Sequence, residues 1–219
     1  MKLGERLLAA AGLAKPGFLL DIGSDHGFLP VYLILNGIIT FASVSDINAK
    51  PLEKARATAE KYNVSDKMDF IISDGFKNIK RRYDTVCICG MGGELIADII
   101  KGGMGKFDRL ILQPMTKAES LRSFLWSSGF EIETELYPFE SGKPYAVMSA
   151  RYTKNNTDFT RNDAFLGKIK PYDGDSYSAG YKRYVEKIYK SALKRYNGTA
   201  REEDLRLTEE CRLILGSHR

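Results

Sequence analysis

Two histidines and three cysteines are all that this chain of 219 residues offers a soft metal. Cys87 and Cys89 stand two apart in an apolar run, so they share one face of a strand. Cys211 is distant, and only His26 and His218 could join them. No zinc set assembles from that spacing. An odd cysteine count without framework spacing excludes a disulfide scaffold; it implies a reducing compartment and buried structural thiols. Long apolar runs are also missing, and none approaches membrane-spanning length. Residues 1–14 have the outline of a signal peptide, with Lys2 ahead of an apolar stretch. Glu5 and Arg6 interrupt it and it leads straight into a strand, so a packed N-terminal helix is expected. No internal repeat is present. The expectation is a cytoplasmic protein with no metal and no membrane contact, and a monomer is favoured.

What is present is a core-forming composition, 43% hydrophobic and 28% charged, enough for one full domain and an appendage. The net charge of +5 gives a mild bias toward an anionic partner. Strand and helix patterns alternate. Strands are expected at 18–21, 38–46, 68–72, 83–89 and 109–112, and helices at 30–36, 49–62, 95–101 and 117–127. The alternation then stops. Segments 130–137 and 145–152 both read as strands, and the short turn between them forces an antiparallel pair. Five βα units closed by a hairpin is the element order of a class I methyltransferase, an α/β Rossmann-like sheet that is mostly parallel. An all-parallel dehydrogenase half would place another helix there. Residues 153–176 read as a polar linker with a short helix at 163–169 and a turn at Asp173-Gly174-Asp175. Residues 177–196 are helical, with Asn197-Gly198 as the stop. Thr199 and Glu202 have the spacing of a capping box for a last helix. The expected domains are 1–153, catalytic, and 154–219, a linker with a C-terminal helical hairpin.

The most telling stretch is Phe18-Leu19-Leu20-Asp21-Ile22-Gly23-Ser24-Asp25-His26-Gly27. A strand feeding a glycine turn and a helix is how α/β folds hold a nucleotide-like ligand. Here the second glycine of the dinucleotide fingerprint is lacking; Asp25 occupies its place, with Asp21 just upstream. Two carboxylates at close range repel a pyrophosphate by several kcal/mol. They suit a ligand without phosphate and with a cationic end, which S-adenosyl-L-methionine is. Asp46 follows the second strand, 23 residues after Gly23, where an acid accepts ribose hydroxyls. Asp74 ends the third strand beside Gly75, placed for an adenine amino group. Gly90-Met91-Gly92-Gly93 ends the fourth, and its glycines allow close backbone approach. The Asn/Asp-Pro-Pro-aromatic signature of exocyclic amine methylation is absent, and no cysteine pair stands beside Pro114 for attack on a pyrimidine carbon. A ring nitrogen remains the better acceptor.

The segments 21–30, 90–93, Leu112-Gln113-Pro114 and Gly142-Lys143-Pro144-Tyr145 together resemble the bacterial tRNA (adenine-22-N1)-methyltransferase family, in order over residues 3 to 152. Ser73 departs from the glycine usual there, and a Gly-Pro near Phe165 is missing. The resemblance implies a Rossmann-like domain with coiled-coil-like C-terminal helices, and methyl transfer to N1 of adenine 22 of tRNA. It implies a cofactor site at Asp21, Gly23, His26, Asp46, Ile47, Asp74, Gly75, Gly90, Met91 and Gly92, with Gln113 and Pro114 on the acceptor side. N1 has an in-plane lone pair and needs no deprotonation, so alignment and stabilisation of growing positive charge are the tasks. Asp25 is the catalytic candidate, accepting from the N6 amino group and taking its proton; shaping the loop or binding cofactor is the other reading. His26 could orient the loop, touch cofactor or touch RNA. The target base must leave its stack, at a cost of a few kcal/mol. Lys182, Arg183, Lys187 and Lys190 of the C-terminal helix are candidates for tRNA phosphates, with tyrosines beside them able to stack on bases; a solvated amphipathic face is the alternative. Other readings are a methyltransferase on another RNA or a small molecule, and a non-catalytic RNA-binding module. The intact acids at 21, 46 and 74 argue against a decayed pocket.

Overall fold

A period of two along each central strand sends alternate side chains to opposite layers. Leu19, Cys87, Ile111 and Val147 face one layer, while Leu20, Val86, Leu110 and Met148 face the other. The computed structural model describes residues 1–171 and 176–216. The turn expected at Asp173-Gly174-Asp175, and His218, lie outside the described residues.

The chain begins with helix α1 (Glu5–Leu13), then β1 (Phe18–Ile22), α2 (Phe28–Leu35), β2 (Phe41–Asp46), α3 (Ala49–Lys61) and β3 (Met68–Ile72). Strand β4 (Tyr83–Gly92), α4 (Gly93–Gly102), β5 (Phe107–Thr116) and α5 (Ala118–Ser127) follow. Next come β6 (Phe130–Leu136), a small hairpin of β7 (Phe139–Glu140) and β8 (Lys143–Pro144), and β9 (Val147–Tyr152). Helices α6 (Arg161–Leu166), α7 (Ser178–Thr199) and α8 (Glu202–Gly216) complete it.

Seven strands form one sheet in the order β3-β2-β1-β4-β5-β9-β6, with β7 and β8 apart. Strands β1 to β5 pair in parallel, and β9 runs antiparallel to both neighbours. The Rossmann-like methyltransferase sheet with its antiparallel hairpin strand is therefore present. Helices α1, α2 and α3 cover the face of Leu19, through residues such as Ala10, Leu33 and Ala55. Helices α4 to α8 cover the other, through Ile96, Leu121, Val185 and Leu207. No helix among the described residues is long and apolar enough to cross a membrane.

Several boundaries differ from expectation, each for a local reason. Strand β2 starts at Phe41, because the Ile38 N–H donates to Leu33 carbonyl and closes the turn after α2 instead. Strand β4 continues through the glycines by means of register breaks around Met91, and β5 runs through Pro114 beside it. Helix α6 starts at Arg161, capped by a reciprocal Thr160–Asp163 box. Helix α7 does not stop at Asn197-Gly198; it runs to Thr199, and Ala200 takes the left-handed turn at φ 51°. Thr199 is consequently no N-cap: its hydroxyl donates to Arg195 carbonyl, within α7.

The connection of Ala200 and Arg201 returns α8 along α7. Arg195 Nε donates to Asp204 Oδ1 at 2.9 Å and Arg212 Nε to the Tyr189 hydroxyl at 3.2 Å, spacing that fits an antiparallel hairpin.

Candidate functional site

Strand order reverses between β1 and β4, so the loops after those strands diverge and leave a crevice at their carboxyl ends. A cavity of about 340 Å³ opens there. It brings together six residues singled out from the sequence: Asp21, Gly23, Asp25, His26, Gly90 and Gln113.

Asp21 lies on the Leu19 face, in register with Cys87 across the sheet. It is buried and accepts a hydrogen bond from Ser24; burial pushes its pKa up to about 6, with the Ser24 bond opposing. Ser24 Oγ accepts from the Gly27 N–H at 3.0 Å, so one hydroxyl holds both the acid and the start of α2. Gly23 has φ 75°, and a Cβ there would fall 1.8 Å from Met91 Cε. Met91 thus lies directly against Gly23. Gly90, at φ 86°, has open space around it and needs glycine for its backbone conformation alone.

Asp25 is exposed at the mouth. Lys54 Nζ of α3 donates to its Oδ1 at 2.8 Å, and His26 Nε2 sits 3.1 Å from Oδ2. The Lys54 bond holds the Asp25 carboxyl below its ordinary range, with His26 adding to it. The His26 ring stacks on Phe28, 4.9 Å between centroids. Burial, then the Asp21 charge, raises the Cys89 thiol, so it stays protonated and is no nucleophile.

Gln113 is fully buried with its amide fixed at both ends. Its Oε1 accepts from Arg6 Nη1 at 3.0 Å, and its Nε2 donates to Pro114 carbonyl at 3.0 Å. Arg6 is held in turn by Glu140, whose Oε2 accepts from the Arg6 backbone N at 2.9 Å and from Nε at 3.2 Å. Its guanidinium lies 5.0 Å from the Tyr145 ring centroid. Helix α1, strand β5 and the β7–β8 hairpin therefore meet on one side chain. Sequence reasoning passed over Arg6 and Lys54. The trace Arg6 left was its break in an otherwise apolar run, and nothing in the pattern marked where its face would land.

The remaining candidates lie outside this cavity. Asp46 ends β2 with its Oδ1 accepting from the Asn48 N–H at 2.8 Å, and Ile47 beside it is exposed. Asp74 is exposed and paired with Lys77 at 2.7 Å; with Gly75 it borders a separate concavity of about 390 Å³. Ser73 is buried, donating to Gly75 carbonyl and accepting from the Asn78 N–H, which accounts for a hydroxyl there. Gly93 has a packing cause: a Cβ would lie 2.1 Å from Lys117 carbonyl. Gly92 lies against Thr116, a lesser crowding at 3.4 Å. Pro114 and Lys187 line a third cavity, of about 240 Å³. Arg183 covers the Phe139 ring at 4.3 Å, Lys182 is half-buried and Lys190 exposed on α7. Tyr181 and Tyr184 are buried against Tyr137, 4.7 and 5.2 Å between centroids, so base stacking is not open to them. Among the described residues no group of three or more His, Cys, Asp or Glu could hold a metal.

A model described as a methyltransferase domain matches residues 3–148. A tRNA (adenine(22)-N(1))-methyltransferase of Bacillus subtilis is 34% identical over 185 residues, 82% of this chain and 72% of its own length. The crystal structure of the B. subtilis m1A22 tRNA methyltransferase TrmK superposes with a TM-score of 0.71 at 29% identity, covering 98% of this chain and 96% of that one. A Streptococcus pneumoniae structure solved with S-adenosyl-L-methionine superposes at 0.83 with 26% identity, covering 98% and 100%.

Proposed function

The chain belongs to the tRNA (adenine(22)-N(1))-methyltransferase family, and on that premise we propose that it transfers a methyl group from S-adenosyl-L-methionine to N1 of adenine 22 of tRNA. The observation that carries the reading is the pair of carboxylates at the end of β1 and in the loop after it. Asp21 and Asp25 face the cavity, while Arg6 is taken up by Glu140 and Gln113. Such a site favours a ligand with cationic groups and disfavours a pyrophosphate. The cofactor supplies an electrophilic methyl group when bound. We assign Asp21, Gly23, His26, Gly90 and Met91 to its methionine end, and Asp46, Ile47, Asp74, Gly75 and Gly92 to its nucleoside end.

Adenine N1 forms the new bond with its in-plane lone pair as the methyl carbon leaves sulfur. Positive charge then spreads over the ring until a proton leaves N6. Asp25, kept ionised by Lys54, is a fixed negative charge for that moment and an acceptor for the N6 hydrogen. Gln113, with its amide locked by Arg6 and Pro114, forms the rigid wall against which the base is oriented. Lys182, Arg183, Lys187 and Lys190 on α7 meet the tRNA backbone. Enzyme and substrate meet in the cytoplasm, the enzyme as a monomer.

Methyl transfer to unmodified tRNA, followed by mapping of the modified base, tests the reading. Incorporation at adenine 22 that disappears when that base is guanine is expected. Modification at another base, or none on any tRNA, overturns it.

A further inference from the structure

The cavity between the end of β5 and α7 is lined mostly by apolar and aromatic residues and carries three cationic side chains against one carboxylate. Its floor is Pro114 to Lys117, its far wall carries Lys187 and Arg195, and Tyr145 stands at the side. Lys117 and Lys187 have no ion pair or side-chain hydrogen bond among the described residues, and Glu119 is the one carboxylate in the lining. Arg195 is partly neutralised by Asp204, yet its Nη2 is buried without a hydrogen-bond partner among the described residues.

This cavity adjoins the first one through a shared wall. Gln113 borders one and Pro114 the other. Arg6, of the first, contacts Met115 Sδ at 3.1 Å and lies over Tyr145, both of the second. A polymer whose base occupied the first cavity would lay its adjoining linkage over the second.

Lys117 has a further peculiarity. It is a non-glycine residue at φ 57°, ψ 40°, a left-handed conformation that glycine would adopt at less cost. Its carbonyl is pressed against Gly93, so the packing of the glycine segment 90–93 fixes it there.

We propose that this cavity is a phosphodiester subsite, in which Lys117 and Lys187 grip the RNA backbone linkage next to the target adenine. The inference rests on the tRNA reading above and adds to it the place where the strand is held.

The test uses the full chain with Lys117→Gly and Lys187→Gln, and synthetic tRNA in which the linkages flanking adenine 22 are replaced one at a time by neutral methylphosphonates. Lys117→Gly relieves the backbone, so its Tm should hold or rise while KM for tRNA increases about tenfold. Each variant should lower the slope of log affinity against log salt by about one, with cofactor affinity unchanged. One of the two neutral linkages should raise the wild-type KM similarly, and add nothing further in Lys117→Gly. An unchanged KM and salt slope in both variants overturns the subsite, as do linkage and lysine effects that simply add. If the wild-type enzyme still methylates adenine 22 in that case, the subsite alone fails; no wild-type methylation of tRNA removes both readings.

Discussion

Asp21 has almost no access to water and a single hydroxyl to satisfy it, which is why its pKa rises to about 6. Between the ordinary carboxyl value of 3.8 and about 6, the folded chain holds a proton that the unfolded chain has released. Stability is therefore lost as pH rises through that window and stays lower above it, by about 3 kcal/mol. Asp21→Asn has no such loss. Its stability relative to the parent should climb from pH 4 to pH 7, while its affinity for S-adenosyl-L-methionine falls about tenfold for want of the carboxylate. Denaturant melts across pH with calorimetry of cofactor binding check both; parallel stability curves would refute the account. Asp25 has the opposite environment. It is exposed and bonded to Lys54, so it is ionised throughout the neutral range. Asp25→Ala should reduce kcat on the order of a hundredfold and leave cofactor affinity within a few-fold. Equal falls in rate and in cofactor affinity would make it a binding residue instead.

At the scale of elements, helix ends store recoverable energy. Ala200 ends α7 in the left-handed region, with its N–H bonded to Tyr196 carbonyl, a place where glycine is preferred. Ala200→Gly should stabilise the protein by about 1 kcal/mol, read as a raised Tm with activity unchanged. The misplaced stop shows what the sequence concealed. Gly198 looked like the end of the helix, yet a Cβ there would meet nothing within 4 Å. Helix α7 passes through it and is capped at Ala200, whose N–H bonds to Tyr196 carbonyl. The central strands were legible, since Leu19, Leu20, Val86 and Ile88 alternate in runs that no turn residue breaks. The ends of β4 and β5 were not, because glycine and proline read as terminators unless a partner strand with register breaks accommodates them. In the site, the acids after β1 were legible from spacing. Arg6 and Lys54 were not, because each reaches its place from another element, and one-dimensional spacing carries no record of which helix face meets which loop.

Across the whole molecule, the core crosses the boundary expected near Thr153. Tyr181, Tyr184, Val185 and Leu207 share a cluster with Val86, Leu112 and Phe130 of the sheet. A buried ion pair sits in that seam: Arg122 Nε donates to Glu135 Oε1 at 2.7 Å, both side chains fully buried. Arg122 Nη1 also donates to Ala164 carbonyl at 2.8 Å and to the Tyr184 hydroxyl at 3.1 Å. One guanidinium thus joins α5, β6, α6 and α7. Removing one partner of such a pair leaves an uncompensated charge in the interior, costing about 3–5 kcal/mol. Replacing both with apolar groups of similar volume is far cheaper, because neither charge then needs solvation. Arg122→Met alone should therefore destabilise severely, and the Arg122→Met, Glu135→Leu double variant should recover most of the loss. Because the pair ties the C-terminal helices to the sheet, the loss should appear in both parts together. Calorimetry of the parent should show one transition, and fluorescence of Trp126, which packs on Phe159 at 5.1 Å between centroids, should melt with the helical signal. If Arg122→Met instead melted α7 and α8 early and left the sheet at the parental Tm, the helices would be an independently folding unit. The seam would then be a contact surface, and a deletion from residue 177 onward would be a clean way to isolate the methyltransferase domain.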